Sequence, residues 1–373
     1  MSDLPVDDDT DALDDTARAV VDEERAAARK FVQGLSADEI RSGVWFSKLI
    51  GGALKTYTDK VDWQYFQEKY EGVPADVIVD QRIKMASRYA ALEGGLSTGA
   101  YTATLAATIG TLGGASPATV PAGVAAFMVD VVFVTQLQLR LAYDVAVLYR
   151  VPLDLSDPED VWKLVRVAFT IKSGELAREG VSKAVPALLR PLLKKYYSGS
   201  VLHAAKAFPV VGKFLLQRNV IKFGIPLVGI PLSVLVNRYT TLAAGRHARA
   251  VFRNEARIVE VAQSLAAASE SPRLLLWVTW LVVEAGGASD DEAMLLRNLV
   301  RYVREVHEVV DEELAGVIDV DPGRVWRLLA KTTGDVSDVM AAAHRVARVD
   351  GEPSAPQRRV LAALADQVAA RAA

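Results

Sequence analysis

The order of apolar and polar residues predicts helices along most of the chain. Residues 17–33 alternate with the helical period and predict a charged amphipathic helix. Ser36 and Glu39 have the spacing of a capping box, which predicts the start of the next helix. Seven aromatic residues lie within residues 44–70. Such a density usually fills a core, although it also occurs in belts at a membrane interface.

Residues 94–129 form a run of thirty-six residues without a charge, including seven Gly and two Pro. The sequence at 113–117, Gly-Gly-Ala-Ser-Pro, is typical of a turn, so this run predicts a helical hairpin made of small residues. Small residues let helix backbones approach closely, both in soluble bundles and in membranes. A buried core hairpin is the favoured interpretation. A hairpin that faces or enters a membrane and a true membrane span are the alternatives.

Residues 118–149 predict one long helix that is apolar around most of its circumference, as expected for a central helix. Gln136, Arg140 and Asp144 recur at intervals of four and predict a polar stripe with an Arg140–Asp144 pair. Asp130 lies among apolar residues, and a buried carboxylate needs a partner or a raised pKa. We favour a structural role for Asp130, with a ligand or proton site as the alternative.

Two further segments complete the pattern. Residues 155–160 predict a helix start, with Ser156 or Asp157 as N-cap, and the helix should run to about residue 179. Residues 223–236 are apolar but short and are broken by two prolines, which predicts a buried or re-entrant segment rather than a span. Another helix should follow from Asn237 through Arg253.

Charge is distributed unevenly along the chain. Residues 180–254 contain twelve Lys or Arg, two His and no acid, whereas the whole chain has a net charge of −3, so the remainder carries −15 (−3 minus +12). This one-sided charge predicts an anionic partner, or pairing with the protein's own acidic parts. Residues 1–16 hold seven Asp and should form a disordered tail. That tail is either solubilising or an internal counter-ion for the basic stretch.

Within the basic stretch, residues 183–197 predict a basic amphipathic helix. This pattern is typical of a helix lying on a membrane surface, and also of a packed helix with a solvated basic face that its prolines would kink. The residues that we predict to contact a lipid or another ligand are Lys183, Arg190, Lys194, Lys195, Asp130 and Arg140.

The sequence contains only weak candidates for a catalytic site. The chain has no Cys, which excludes disulfides and thiolate chemistry. Residues 95–99 match G-x-S-x-G with Ser97 as nominal nucleophile, but that motif requires a strand-to-helix elbow and a helix is expected here.

His307 and Asp311 share a predicted helix face that could hold a metal, although a solvated acidic face is favoured. Nucleic acid is disfavoured because the basic residues alternate with aliphatic runs and no binding motif is present.

Several of these segments resemble the EcsC family. They are Phe-Met-Val-Asp at 127–130, Gln-Leu-Gln-Leu-Arg-Leu-Ala at 136–142, Val-Leu-Tyr at 147–149, and Ile-Pro-Leu-Val-Gly at 225–229 with the helix that follows. The resemblance covers roughly residues 40–265. It implies a mostly helical, membrane-associated bacterial module, named for its occurrence beside an ABC transporter and without established catalytic residues. The family usually has Gly after the Tyr149 position, where this chain has Arg150.

The last hundred residues contain an internal repeat. Residues 285–292 and 350–357 lie 65 positions apart, and each copy ends in a predicted capping box, Ser289 with Glu292 and Ser354 with Gln357. Two facing helix–turn–helix units would bury one core. The region resembles the TerB-like domain of tellurite-resistance and related stress proteins.

The TerB-like resemblance implies divalent metal at acidic turn residues, here Asp350 and Glu352. Ala285 stands where the second copy has Asp350, and Gln357 stands where Glu is usual, so the ligand set is incomplete. Plain turn and capping chemistry at these positions is the favoured alternative. No other cofactor is predicted.

Taken together, the sequence predicts an all-α protein with a tail at 1–16, an EcsC-like domain at 17–268 and a TerB-like domain at 271–373. The amino end lacks the features of a secretory signal, which predicts a cytoplasmic location. We expect a non-enzymatic peripheral protein at the inner face of the cell membrane, bound to anionic lipid or a membrane protein in envelope stress or transport. The alternatives are a soluble carrier of an apolar ligand, contacted by Asp130 or Arg140, and a serine hydrolase at Ser97.

Overall fold

Helices are the only regular structure in the part of the chain that is described, which confirms the all-α fold. The computed structural model describes residues 9–110, 119–170, 209, 211–212, 215, 229–309 and 321–372. Side chains are described throughout these ranges except at 9–14, 53, 97–110, 119–124, 158–159, 229–233 and 372. The predictions for the basic residues Lys183, Arg190, Lys194 and Lys195 and for the turn at 113–117 therefore lie outside the described residues.

Two compact units divide the chain. The first contains the described residues up to 170 and those from 209 to 252, and the second contains the described residues from 253 onwards. The first unit comprises α1 Asp9–Gln33, α2 Ala37–Ser42, α3 Val44–Leu49, a π-helical turn Ile50–Leu54, α4 Lys55–Thr58, α5 Trp63–Lys69, α6 Ala75–Gly110, α7 Thr119–Leu148 and α8 Pro158–Ala168. Helix α9, Gly229–Ala268, begins in the first unit and ends in the second.

Helix α1 starts earlier than predicted. It begins at Asp9 rather than Ala17, so the prediction of a disordered tail is wrong from residue 9 onwards. Carboxylates near the amino end of a helix are stabilised by the helix dipole, which explains why an acidic segment can be helical. The capping box that starts α2 is confirmed: the Ser36 N–H donates to Glu39 at 2.9 Å, and the Glu39 N–H donates to the Ser36 hydroxyl at 3.2 Å.

Helix α7 is the central helix of the first unit and confirms the helix predicted for residues 118–149. Helices α1, α6 and α8 all pack against it. Residues 125–148 are long and apolar enough to cross a membrane, but 78% of the most apolar window is buried inside the protein. This burial identifies α7 as a core helix in the described structure.

The turn after α7 contains a left-handed residue, Arg150, that is not glycine. Arg150 has φ of +55°. Its N–H donates to Val147 at 2.9 Å, and the N–H of Val151 donates to Ala146 at 2.9 Å, which closes the helix end. The Arg150 guanidinium lies 4.1 Å from the centroid of the Trp63 ring. This cation–π contact offsets part of the strain of a left-handed non-glycine residue.

The second unit contains α10 Pro272–Gly286, α11 Asp290–His307, α12 Pro322–Lys331, α13 Ser337–Val346 and α14 Ala355–Ala372. Ten consecutive residues of α10, 274–283, are buried, and α11, α12, α13 and α14 all supply side chains to the same core. Leu296 and Leu361, which occupy matching positions of the repeat, are both in this core. Both predicted capping boxes also form.

The two capping boxes meet inside the second unit. The Gln357 side-chain amide donates to the Glu292 carboxylate and, at 3.4 Å, to the carbonyl of Val282. Both side chains are buried, and a Cβ on Gly286 would lie 2.4 Å from the Gln357 nitrogen. Because an amide can donate where a carboxylate cannot, Gln357 satisfies Glu292 in a place where a second Glu would repel it.

We expect Gln357→Glu to destabilise the protein by roughly 3 kcal/mol at pH 7, because two buried carboxylates would then face each other. The pKa of one of them should be raised, so the difference from the parent protein should shrink as the pH falls to 5. Urea unfolding of the full chain at both pH values measures this difference. Gln367→Glu, at an exposed position of α14, is the matched control. Equal losses in the two variants would contradict the role assigned to Gln357.

Candidate functional site

Contacts of α9 place α6 beside it in the antiparallel direction. A Cβ on Gly95 would lie 3.5 Å from Val234, near the start of α9. Further along α9, the Arg249 guanidinium lies 2.6 Å from Asp80, which is fifteen residues earlier in α6 than Gly95. The carboxyl-terminal part of α6 and the amino-terminal part of α9 therefore lie at the same end of the first unit.

Helix α7 runs in the same direction as α9. The Asn237 amide donates to the Asp130 carboxylate at 2.9 Å, and the Gln138 amide donates to the Thr241 hydroxyl at 3.3 Å. All four side chains are buried, so they form a polar seam between two otherwise apolar helix faces. The amino-terminal part of α7 therefore lies at the same end as the parts of α6 and α9 described above.

That end of the unit carries no charge on any of the three helices. The uncharged end, as we define it, consists of residues 94–110 of α6, 119–129 of α7 and 229–236 of α9. At 1.5 Å per residue these segments extend about 25, 16 and 12 Å. Half the hydrocarbon thickness of a bilayer is about 15 Å, so the α6 and α7 segments are long enough to cross one leaflet and the α9 segment to cross most of it.

A buried polar layer marks the inner border of the uncharged end. It consists of Glu93, Asp130 and Asn237, one residue from each of the three helices, and all three are buried. Arg25 of α1 contacts Glu93, with 3.4 Å between its Nε and the carboxylate. Burial raises the pKa of Glu93 to about 8, and Arg25 opposes this shift while the negative charge of Asp130 adds to it.

The structure gives Asp130 the hydrogen-bonded, buried environment expected of a structural carboxylate. Arg140 is also engaged, because its guanidinium donates to Glu24 of α1 at 2.5 Å. Arg140 and Asp144 do not form the predicted direct ion pair in the described structure, although burial raises the pKa of Asp144 and the charge of Arg140 still acts to lower it. The Asp144 carboxylate is instead bound by Arg82, with an Nε contact of 2.8 Å, and by the Tyr57 hydroxyl at 2.6 Å. Both charges are therefore paired with residues of other helices rather than with each other.

The residues considered for catalysis or metal binding are dispersed. Residues 95–99, including Ser97, lie within continuous helix α6, so they do not form the strand-to-helix elbow that G-x-S-x-G chemistry needs. Asp350 and Glu352 are exposed, and within the described ranges no group of three His, Asp or Glu is placed to hold a metal. The His307 Nε2 lies 2.7 Å from the Ala266 carbonyl, and Asp311 lies outside the described residues.

Sequence reasoning missed the outward face of α9 and part of the polar layer. Residues 223–236 were expected to be buried or re-entrant; of the side chains described there, at 234–236, Leu235 is 62% exposed, so this position is not buried. One turn later Tyr239 is 71% exposed. The sequence does contain a clue to the polar layer, since Glu93 and Asp130 are the last charges on either side of the uncharged run. No comparable feature of the sequence predicted that the Asn237 side chain would point into the unit.

Comparison with known proteins gives no match: no protein-family model, curated protein or solved structure is significantly similar to this chain. The EcsC-like and TerB-like resemblances consequently stay predictions. The site described above depends on the geometry of the first unit alone.

We expect the stability of the protein to fall as the pH rises from about 4.5 to 8, because the folded state keeps the Glu93 proton that the unfolded state has lost. Below about pH 4.5 Glu93 is protonated in both the folded and the unfolded state, and above about pH 8 it is ionised in both. Glu93 therefore makes the stability depend on pH only between these values. Glu93→Gln removes the titration. It should flatten the pH dependence and stabilise the protein at pH 8 by about 1 kcal/mol or more.

Thermal unfolding and urea unfolding between pH 4.5 and 9 test this expectation. Glu71→Gln, at an exposed position of the same unit, is the control and should leave the slope unchanged. A Glu93→Gln protein with the parental slope would show that Glu93 does not titrate in this window.

Proposed function

We propose that this protein is non-enzymatic and associates with a membrane surface through the uncharged end of its first unit. The observation that carries the proposal is the grouping of three charge-free helix segments at one end of the same unit. A charged side chain at the centre of a bilayer costs about 2.5–3.5 kcal/mol on insertion scales, so an inserting surface must be free of charge. Here the charge-free segments come from three different parts of the sequence.

The packing of α7 supports association at the surface rather than a span. Most of the apolar stretch of α7 within residues 125–148 is buried inside the protein, so its apolar side chains form part of the protein core. The parts available to lipid are the outward residues of the uncharged end. Leu96 of α6, with 41% exposure, is one of them. A cytoplasmic position, which was predicted from the amino-terminal sequence, and a role in transport or envelope stress, which the resemblances imply, belong to this proposal.

A soluble carrier is supported less well. That hypothesis needs Asp130 or Arg140 to contact the polar head of a ligand. In the structure Asp130 accepts a hydrogen bond from Asn237, and Arg140 donates to Glu24. Each therefore already has a protein partner, and binding a ligand would require these bonds to be exchanged.

Vesicle flotation with Leu96→Glu tests the proposed function. The substitution puts a charge on the uncharged end and should weaken vesicle binding at least tenfold, because the glutamate resists insertion. Val77→Glu is the matched control: Val77 lies near the opposite end of α6, and its 46% exposure is close to the 41% of Leu96. It should float like the parent.

Circular dichroism and thermal unfolding of both variants establish that they are folded. The proposed function is overturned if the parent protein floats with neither neutral nor anionic vesicles. It is also overturned if Leu96→Glu and Val77→Glu bind equally well.

A further inference from the structure

We infer that the outer face of α9 within the first unit binds the headgroups of anionic lipids and sets how deeply the protein enters the bilayer. This inference rests on the proposed function. The α9 outer face, as we define it, consists of Leu235, Arg238, Tyr239 and Arg246. It begins within the uncharged end at Leu235 and continues beyond it, since α9 has no charged residue before Arg238.

The two sides of α9 are sharply different. The inner side carries Asn237, Thr241, Ala244 and Ala248, all buried against the first unit. Leu235, Tyr239 and Arg246 are separated by four and seven residues, which keeps them on a single face of an α-helix. That face points to solvent, with Leu235 at 62% and Tyr239 at 71% exposure, and with Arg246 exposed as well.

The residues of the α9 outer face follow the order of layers in a bilayer leaflet. Leu235 lies in the uncharged end, Tyr239 is about 6 Å further along α9, and Arg246 is about 10 Å beyond Tyr239. Aliphatic side chains suit the hydrocarbon, and Tyr is enriched at the interface between hydrocarbon and headgroups. Arginine binds phosphate oxygens in bidentate geometry, which suits the headgroup layer.

Charge complementarity selects an anionic surface as the occupant. From Gly229 to Asn254, α9 contains four arginines and no acid. Within the described structure Arg238 and Arg246 make no ion pair, whereas Arg249 is bound to Asp80 at 2.6 Å and to Asp76 at 3.4 Å. The first two arginines therefore keep their charge available for an external anion, and Arg249 serves the fold.

The first experiment compares flotation with vesicles of phosphatidylcholine alone and of phosphatidylcholine mixed with phosphatidylglycerol. The double variant Arg238→Ala/Arg246→Ala should bind the anionic vesicles at least tenfold more weakly, since each basic residue near an anionic leaflet contributes about fivefold. Its binding to neutral vesicles should be unchanged. The effect should shrink at high salt, which screens exposed charges.

Arg345→Ala/Arg348→Ala is the matched control for charge. Both positions are exposed and lie in the second unit, and the double substitution removes the same two charges. We expect it to bind anionic vesicles like the parent protein. A loss equal to that of Arg238→Ala/Arg246→Ala would show that only net charge matters, and would overturn the inference.

The second experiment measures depth. Because the chain has no Cys, single Leu235→Cys, Tyr239→Cys and Arg246→Cys variants can each carry one environment-sensitive fluorophore without background labelling. Quenching by a nitroxide deep in the acyl chains should be strongest from position 235, weaker from 239 and weakest from 246. Val77→Cys, at an exposed apolar position near the opposite end of α6, should show no quenching.

The outcomes separate this inference from the proposed function. A parent protein that binds neutral and anionic vesicles equally, and is not weakened by Arg238→Ala/Arg246→Ala, overturns the headgroup site and leaves membrane association standing. Equal quenching from positions 235, 239 and 246 overturns the ordered insertion. A parent protein that binds no vesicle overturns both.

Discussion

The first unit depends on the hydrogen bond between Asn237 and Asp130. A carboxylate in the middle of an apolar helix must have a donor, and the Asn237 amide supplies it at 2.9 Å. This bond fixes the rotation of α9 about its own axis. Each residue of an α-helix is rotated by about 100° from the one before it, so residues two positions from Asn237 lie about 200° from it around the helix axis. Leu235 and Tyr239 therefore point outward when Asn237 points inward. Together with the burial of Thr241, Ala244 and Ala248 on the same side, this bond determines which side of α9 faces solvent.

Local rules predicted much of the fold. The capping boxes at Ser36 and Ser289 depend on residues three apart, and the length of α7 follows from an unbroken apolar pattern. The partners of Arg140 and Asp144 could not be predicted in this way. Glu24 lies 116 positions from Arg140, and Arg82 lies 62 positions from Asp144. Only the packing of α1 and α6 against α7 brings these charges together.

The repeat in the second unit shows the same limit. The sequence predicted two capping boxes, but it did not predict that Glu292 and Gln357 would meet. Once they meet, Gln at position 357 has a physical reason, because its amide is a donor to the Glu292 carboxylate. Arg150 is a parallel case. Arg150 has a left-handed backbone conformation although it is not glycine, and the Trp63 ring that its guanidinium contacts lies 87 positions earlier in the chain.

The position of the polar layer also bears on how the uncharged end could lose contact with water. Lipid that reached as far as Glu93 would remove further water from around the buried polar layer at the inner border of the uncharged end. For a carboxyl group with an ordinary pKa this would be costly, but the Glu93 pKa of about 8 leaves the group largely protonated at neutral pH. The neutral form is the one that a less polar environment favours. Arg25 and Arg29 favour the ionised form of Glu93, but desolvation by burial outweighs them and keeps its pKa raised. The border layer is therefore suited to contact with lipid.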